Sequence, residues 1–206
     1  MAHALHASAF AGAKVAPMRA ARSSASTGRK SVVTRAMAAK TLSIPKTFED
    51  LKKRGQCAFI PFICAGDGGI DTTEKAVRIL DEAGSDVIEL GVPYSDPLAD
   101  GPTIQAAATR ALEAGTTLGD VVDLVARVSP DITAPIVLFT YFNPIYQRGF
   151  EPFVKSIAAA GAKGLLVPDI PLEETGELSA VCKANGIDLV LLSTPTTPEE
   201  RMAKIA

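Results

Sequence analysis

Two acidic residues, Glu89 and Asp100, stand on either side of a loop that is rich in proline and glycine. Glu89 follows the β-branched residues Val87 and Ile88, so the sequence predicts a buried strand there, on which an ionised carboxylate is costly. A buried carboxyl with a raised pKa can donate a proton, whereas one nearer solvent stays ionised. The pair therefore predicts acid–base chemistry. The alternatives are a buried ion pair for Glu89 and turn capping for Asp100, and turn capping is the favoured role of Asp96.

Aromatic side chains lie in two other apolar runs, with Phe62 in the first and with Phe139 and Tyr141 in the second. These rings could wall the pocket of a flat aromatic ligand, although plain core packing is the more usual role. Asp169 also ends an apolar run, and its candidate roles are catalysis, a contact to another loop and a cap for the next helix. The glycine cluster at residues 66–69 lacks the third glycine of a dinucleotide-binding fingerprint, so it predicts a turn and helix cap.

The amino-terminal segment has the composition of a targeting sequence. Residues 1–40 contain seven basic residues and no acid, and alanine and serine supply most of the remainder. This composition without a long apolar core is typical of an organelle transit peptide, and it predicts neither a secretory signal nor a membrane span. We therefore expect residues 1–37 to be a plastid (chloroplast) leader, with a mitochondrial leader as the alternative, and residues 38–206 to form the folded domain.

Charge and residue usage exclude several classes of function for that domain. Without residues 1–40, 14 of the 21 basic residues and all 23 acidic residues remain, which gives a net charge of 14 − 23 = −9. This charge argues against nucleic-acid binding. Both histidines, His3 and His6, lie in the leader, so the domain cannot build a Ser-His-Asp triad or a histidine-ligated metal site. The three cysteines are odd in number and lack a C-x-x-C pair, so we expect neither a disulfide nor a zinc site.

Short apolar runs alternate with segments of helical periodicity. The predicted strands are residues 58–64, 87–90, 135–139, 164–167 and 189–192, and the predicted helices are residues 72–83, 103–114, 118–128, 150–160 and 174–185. The apolar runs are continuous, which indicates strands that are covered on both faces, as in a parallel sheet with helical crossovers. Their average spacing of about 32 residues is that of a βα unit. Both an open doubly wound sheet and part of an eight-stranded barrel fit this pattern, and both bind ligands at the carboxyl ends of the strands.

The sequence ELGVPYSDPLADGP at residues 89–102 closely resembles the tryptophan synthase alpha subunit family. The resemblance continues through residues 139–144, 167–174 and 192–198 and covers roughly residues 47–206. It implies an α/β fold, the (β/α)8 TIM barrel, with about the first five βα units present. It also implies a cofactor-free lyase that cleaves indole-3-glycerol phosphate to indole and glyceraldehyde 3-phosphate in tryptophan biosynthesis.

The resemblance assigns roles to individual residues. Glu89 matches the acid–base that protonates the indole ring at C3 and then helps to deprotonate the glycerol hydroxyl, and Asp100 matches the carboxylate that accepts a hydrogen bond from the indole N–H. Phe62, Phe139 and Tyr141 match the wall of the indole pocket. Asp169 matches the network that communicates with the tryptophan synthase beta subunit, which binds pyridoxal phosphate and receives the indole.

Strands six to eight and the phosphate-binding loops of the family would lie beyond Ala206. We therefore expect the 206-residue chain to be a fragment with low or no activity on its own. Two other functions stay open: a free-standing indole-3-glycerol phosphate lyase, and a partial barrel that only binds or regulates the beta subunit.

Overall fold

The structure, a computed structural model, describes residues 42–205, so the predicted leader lies outside the described residues. Its five strands are β1 Phe62–Cys64, β2 Ile88–Gly91, β3 Ile136–Phe139, β4 Gly164–Leu166 and β5 Asp188–Val190. Its α-helices are α1 Ile44–Arg54, α2 Ile70–Glu82, α3 Pro102–Glu113, α4 Leu118–Val128, α5 Phe142–Arg148, α6 Phe150–Ala160, α7 Thr175–Ala184 and α8 Glu199–Ile205, and a short 3₁₀ helix spans Leu172–Glu174. The five predicted strands and the five predicted helices are all present, with shifts of a few residues at most ends.

The five strands form one parallel sheet in the order β1-β2-β3-β4-β5. A doubly wound sheet reverses its strand order at a switch point, whereas the strands of a βα barrel follow one another around the wall in chain order. The observed order contains no reversal. The strand order therefore decides between the two architectures that the sequence left open, in favour of a barrel wall.

Residues along the strands alternate between two apolar layers. The outer layer joins the sheet to the helices and contains Ile88, Leu90, Ile136, Leu138, Leu165, Val77, Leu124 and Phe153, among others. The inner layer is smaller and consists of Val87, Val137 and Leu166, with Ile44, Phe139 and Val190 packed against them. Because both faces are covered, the strands read as continuous apolar runs. Glu89 lies between Ile88 and Leu90 in the chain, so its side chain belongs to the inner face.

Helix α1 was not predicted from the sequence. Ser43 caps it by accepting a hydrogen bond from the Lys46 N–H at 3.4 Å. Ile44 reaches the inner layer beside Gly164, where an added Cβ would lie 2.7 Å from the Ile44 Cδ1. The absence of a side chain at Gly164 therefore makes room for α1 to cover the inner face near the start of β4.

Two strands differ from their predicted bounds near the site. β1 begins only at Phe62, because Pro61 has no N–H for the ladder, although its carbonyl still accepts from the Glu89 N–H at 2.9 Å. Strand β2 begins at Ile88 and continues to Gly91, one residue later at each end than predicted. Glu89 is the second residue of β2, which places its carboxyl on the wall of the barrel rather than on the loop.

Candidate active site

Glu89 is a partly buried carboxylic acid on strand β2. It lies in register with Phe62 of β1 and Val137 of β3. Among residues 42–205 no side chain or backbone group forms a hydrogen bond or ion pair with its carboxyl group. Burial raises the pKa of Glu89 above its ordinary value, and no neighbouring charge offsets this effect. A carboxyl in this state keeps its proton to a higher pH than an exposed glutamate does, and it can exchange that proton with a ligand on the inner face.

Asp100 is held by a buried tyrosine. The Tyr141 hydroxyl donates to the Asp100 Oδ2 at 3.1 Å and accepts a hydrogen bond from the Ala99 N–H at 3.0 Å. Burial and the neighbouring Asp100 carboxylate raise the pKa of Tyr141 to about 12, so the phenol stays protonated and remains a donor. One Asp100 oxygen is therefore fixed by Tyr141, and Asp100 is more than the cap of a local turn.

Four aromatic rings form a continuous row. The Phe62 and Phe139 rings meet edge to face with centroids 5.5 Å apart, and the Phe139 and Tyr141 rings do so at 6.2 Å. Tyr94, from the loop after β2, stacks on Tyr141 at 5.0 Å with an interplanar angle of 27°. The row thus joins all three predicted aromatic residues. Phe62 in this row is the strand neighbour of Glu89, and Tyr141 binds Asp100. The row therefore connects the surroundings of the two acids.

Sequence reasoning missed Tyr94 and Gly91. A Cβ at Gly91 would lie 2.6 Å from the Phe62 ring, so the glycine makes room for that ring in the row. Tyr94 follows Pro93 in the rigid loop, and an aromatic residue in such a loop is the signal that could have identified it.

Asp169 links two neighbouring loops. Its Oδ1 accepts a hydrogen bond at 2.9 Å from the N–H of Phe142, the first residue of α5. This contact to another loop is one of the roles that the sequence left open for Asp169. The helix that follows Asp169 is not capped by it, since the 3₁₀ turn at Leu172 has no side-chain cap.

Within residues 42–205, no group of three or more histidine, cysteine, aspartate or glutamate side chains could hold a metal ion. Every helix in that range is too short or too polar to cross a membrane. Cys57, Cys64 and Cys182 are free thiols, and burial raises the pKa of both Cys64 and Cys182 to about 11, which keeps them protonated. The candidate chemistry therefore depends on Glu89, Asp100 and the aromatic row.

Comparison with known proteins gives a consistent result. A family model described as tryptophan synthase alpha chain matches residues 48–206. The tryptophan synthase alpha chain of Picosynechococcus sp. is 58% identical over 164 residues, which are 80% of this chain and 62% of that relative. Among solved structures, tryptophan synthase subunit alpha from Legionella pneumophila has a TM-score of 0.75 at 39% identity, covering 78% of this chain and 62% of that one. The tryptophan synthase complex from Pyrococcus furiosus has a TM-score of 0.70 at 40% identity, covering 72% and 61%.

The chain thus spans about 62% of the length of the curated relative it matches. Its sheet is part of the TIM barrel of these structural neighbours, which confirms the fold that the resemblance implied. Since the matched segment contains every strand of the sheet and both acids of the candidate site, the chain belongs to the tryptophan synthase alpha chain family.

Proposed function

We propose that this chain carries the acid–base groups of a lyase that cleaves indole-3-glycerol phosphate to indole and glyceraldehyde 3-phosphate. The observation that carries the proposal is Glu89, whose carboxyl has a raised pKa and no partner among residues 42–205. It lies on the inner face, beside a row of aromatic rings that leads to Asp100. A structural role would leave such a carboxyl paired, because an unpaired one costs stability. Its retention is explained by a reaction that needs a proton at this position.

The proton balance of the cleavage suits a single acid–base. Protonated Glu89 donates to C3 of the indole ring, which turns the ring into an electron acceptor with positive charge at its nitrogen. The Glu89 carboxylate then accepts the proton of the glycerol hydroxyl, the carbon–carbon bond breaks, and its electron pair returns to the ring. Glu89 ends in the protonated state in which it began, and the products are indole and the aldehyde.

Asp100 and the aromatic row supply binding. The Asp100 carboxylate, oriented by Tyr141, accepts a hydrogen bond from the indole N–H and stabilises the charge that develops there. Phe62, Phe139 and Tyr141 offer ring edges and faces to a flat aromatic ligand. None of these steps requires a bound cofactor.

The proposed partner is a tryptophan synthase beta subunit that receives the indole and holds pyridoxal phosphate. The structural neighbour from Pyrococcus furiosus is a tryptophan synthase complex, which supports this assignment. Asp169 lies where it could transmit a change, since it ties the loop after β4 to the start of α5.

We also propose plastid import, on the basis of seven basic residues and no acid in residues 1–40. Uptake of a reporter fused to residues 1–41 by isolated plastids is the test, and uptake by mitochondria alone would contradict it.

The lyase activity is tested by measuring indole release from indole-3-glycerol phosphate. We would assay the 206-residue chain, and the same chain extended by the unmatched carboxyl-terminal part of the Picosynechococcus alpha chain. The short chain is expected to show little or no turnover and the extended chain to be active. In the extended chain, Glu89→Gln is expected to lower kcat by about 10²- to 10⁴-fold, as for loss of a general acid–base. Asp100→Asn is expected to lower kcat about 10- to 100-fold, because the charged acceptor of the indole N–H is replaced by a neutral one.

Glu113→Gln is the matched control, because Glu113 is an exposed acid on α3. A folded extended chain without turnover, or Glu89→Gln with the activity of the control, would overturn the proposal. Addition of a beta subunit distinguishes the two enzymatic alternatives. Turnover that rises with beta subunit indicates an alpha subunit, and turnover that is unaffected indicates a free-standing lyase.

A further inference from the structure

The loop after β2, residues 92–101 (the β2 loop), contacts Tyr141 at two places. Near its start, the Tyr94 ring stacks on the ring of Tyr141. At its end, the Ala99 N–H and the Asp100 carboxylate both bind the Tyr141 hydroxyl. Tyr141 is almost fully buried, with 2% of its surface exposed, so the loop packs against a side chain that is held in place by its surroundings.

Tyr94 is itself anchored to the segment that carries Tyr141. The Asn143 Nδ2 donates to the Tyr94 hydroxyl at 3.3 Å, and Asn143 stands two residues after Tyr141, in the first turn of α5. The ring stack and this hydrogen bond connect one loop residue to two positions of a single short segment. The stack and the hydrogen bond together fix the position of the Tyr94 ring relative to the Tyr141 ring.

The rest of the β2 loop offers little support of this kind. Its tip is exposed, with Leu98 at 89%, and the Asp96 carboxylate accepts a hydrogen bond from the neighbouring Ser95 hydroxyl at 2.6 Å. The Asp100 carbonyl accepts a hydrogen bond from the Gln105 side chain at 2.8 Å, which holds the main chain of Asp100 and leaves its carboxylate to Tyr141. The orientation of the Asp100 carboxylate thus depends on Tyr141, against which Tyr94 packs.

We propose that Tyr94 is a positioning residue for Asp100. The Tyr94 ring packs on the Tyr141 side chain and holds it in place, and the Tyr141 hydroxyl in turn orients the Asp100 carboxylate that accepts the hydrogen bond of the indole N–H. This inference rests on the proposed role of Asp100. The stack supplies most of the effect, because it buries ring surface on both partners, and the hydrogen bond from Asn143 sets the angle of the Tyr94 ring.

Amide hydrogen exchange in the full 206-residue chain tests the positioning itself. The Ala99 N–H bonds to Tyr141, so its exchange rate reports whether the loop still holds the phenol. Tyr94→Leu removes the stack and is expected to speed Ala99 exchange about tenfold, while Tyr94→Phe keeps the ring and retains most of the protection. Tyr146→Leu is the control, because Tyr146 is 64% exposed and takes no part in the contacts between the β2 loop and Tyr141.

The Leu138 amide in β3 serves as an internal reference for the stability of the sheet. Faster exchange at Ala99 with an unchanged rate at Leu138 supports the proposal. Equal acceleration at both amides, or no change at Ala99 in Tyr94→Leu, would overturn it, because Tyr94 would then act on general stability or not at all.

Kinetics of the extended chain supply a second reading. Tyr94→Leu is expected to lower kcat about tenfold with little change in KM, and Tyr94→Phe to restore most of the rate. If Asp100→Asn lowers kcat and Tyr94→Leu does not, the positioning role is wrong while the proposed function stands. If the extended chain has no activity, the proposed function fails, and the exchange rate at Ala99 still decides whether Tyr94 positions the loop.

Discussion

The two faces of strand β2 differ in how completely their residues are satisfied. On the outer face, Ile88 and Leu90 are fully buried against the helices. On the inner face, the Glu89 carboxyl is partly buried and has no partner within residues 42–205. Folding alone gives no reason to keep a carboxyl there, because an amide or apolar side chain would cost less to bury. The outer face therefore stabilises the sheet, while the inner face carries the carboxyl that we propose as the acid–base.

Glu74, an acid on an outer helix, shows the opposite arrangement to Glu89. Glu74 of α2 accepts hydrogen bonds from the Arg127 Nε and the Arg78 Nη2, each at 3.0 Å. These hydrogen bonds lower the pKa of Glu74, with Arg127 as the larger cause. Arg127 belongs to α4, so this paired acid ties two outer helices together. Pairing with arginine therefore distinguishes Glu74 from Glu89.

The largest expected effect on stability comes from removing a ring on the outer side. Phe153 of α6 is 1% exposed in the outer layer, and Phe153→Ala is expected to lower the free energy of unfolding by about 3–5 kcal/mol. Phe62→Ala removes a partly exposed ring of the aromatic row and is expected to cost clearly less. Urea denaturation of both variants measures the difference. Equal losses would contradict the division of roles between the two faces.

A smaller effect, of the opposite sign, is expected just after β3. The Thr140 hydroxyl is fully buried and has no hydrogen-bond partner among the described residues. Thr140→Val removes this unsatisfied group at nearly constant volume and is expected to raise the free energy of unfolding by about 1–2 kcal/mol.

Thr73→Val is the matched control for that variant. The buried Thr73 hydroxyl accepts from the Gly66 N–H at 2.9 Å and donates to the Gly69 carbonyl at 3.2 Å. Its loss is expected to destabilise the fold, so the two threonine variants should shift the urea midpoint in opposite directions. A destabilised Thr140→Val would show that its hydroxyl is satisfied after all.

Elements with strong local signals were predictable to the residue. Helix α4 has the predicted bounds because Thr117 and Asp120 form a capping box. Helix α6 ends as predicted at Ala160, because the next residue, Gly161, adopts a φ of 103° that suits glycine. Helix α1 was missed although Ile44, Phe48 and Leu51 have helical spacing and Ser43 is a good cap. The short α5 was missed because Pro144 lies inside it.

The site was predictable only in part, for a related reason. Glu89 and Asp100 are visible in the sequence because an acid inside an apolar run and an acid in a rigid loop are unusual. The contacts of Tyr94 join residues 47 and 49 positions apart, from Tyr94 to Tyr141 and Asn143. Such contacts exist only once β2 and β3 pair in register, so no local spacing could reveal them.

The smallest expected effect is a difference in how the two glutamates respond to pH. Burial raises the pKa of Glu89 in the folded state, so the folded chain holds its proton more tightly than the unfolded chain does. The Glu89 carboxyl should therefore cost stability increasingly as pH rises through its folded pKa. Glu74 has a lowered pKa, so its contribution is present above its unfolded pKa and is lost as pH falls through the folded value.

Urea midpoints of the chain, Glu89→Gln and Glu74→Gln, measured from about pH 3 to about pH 8, test this contrast. Glu89→Gln should match the chain at low pH and become the more stable of the two as pH rises. Glu74→Gln should match it at low pH and become the less stable. Parallel curves for Glu89→Gln and the chain would mean that the folded and unfolded states hold the Glu89 proton equally tightly. Burial would then not raise the pKa of Glu89, and the physical argument for Glu89 as the proton donor would fail.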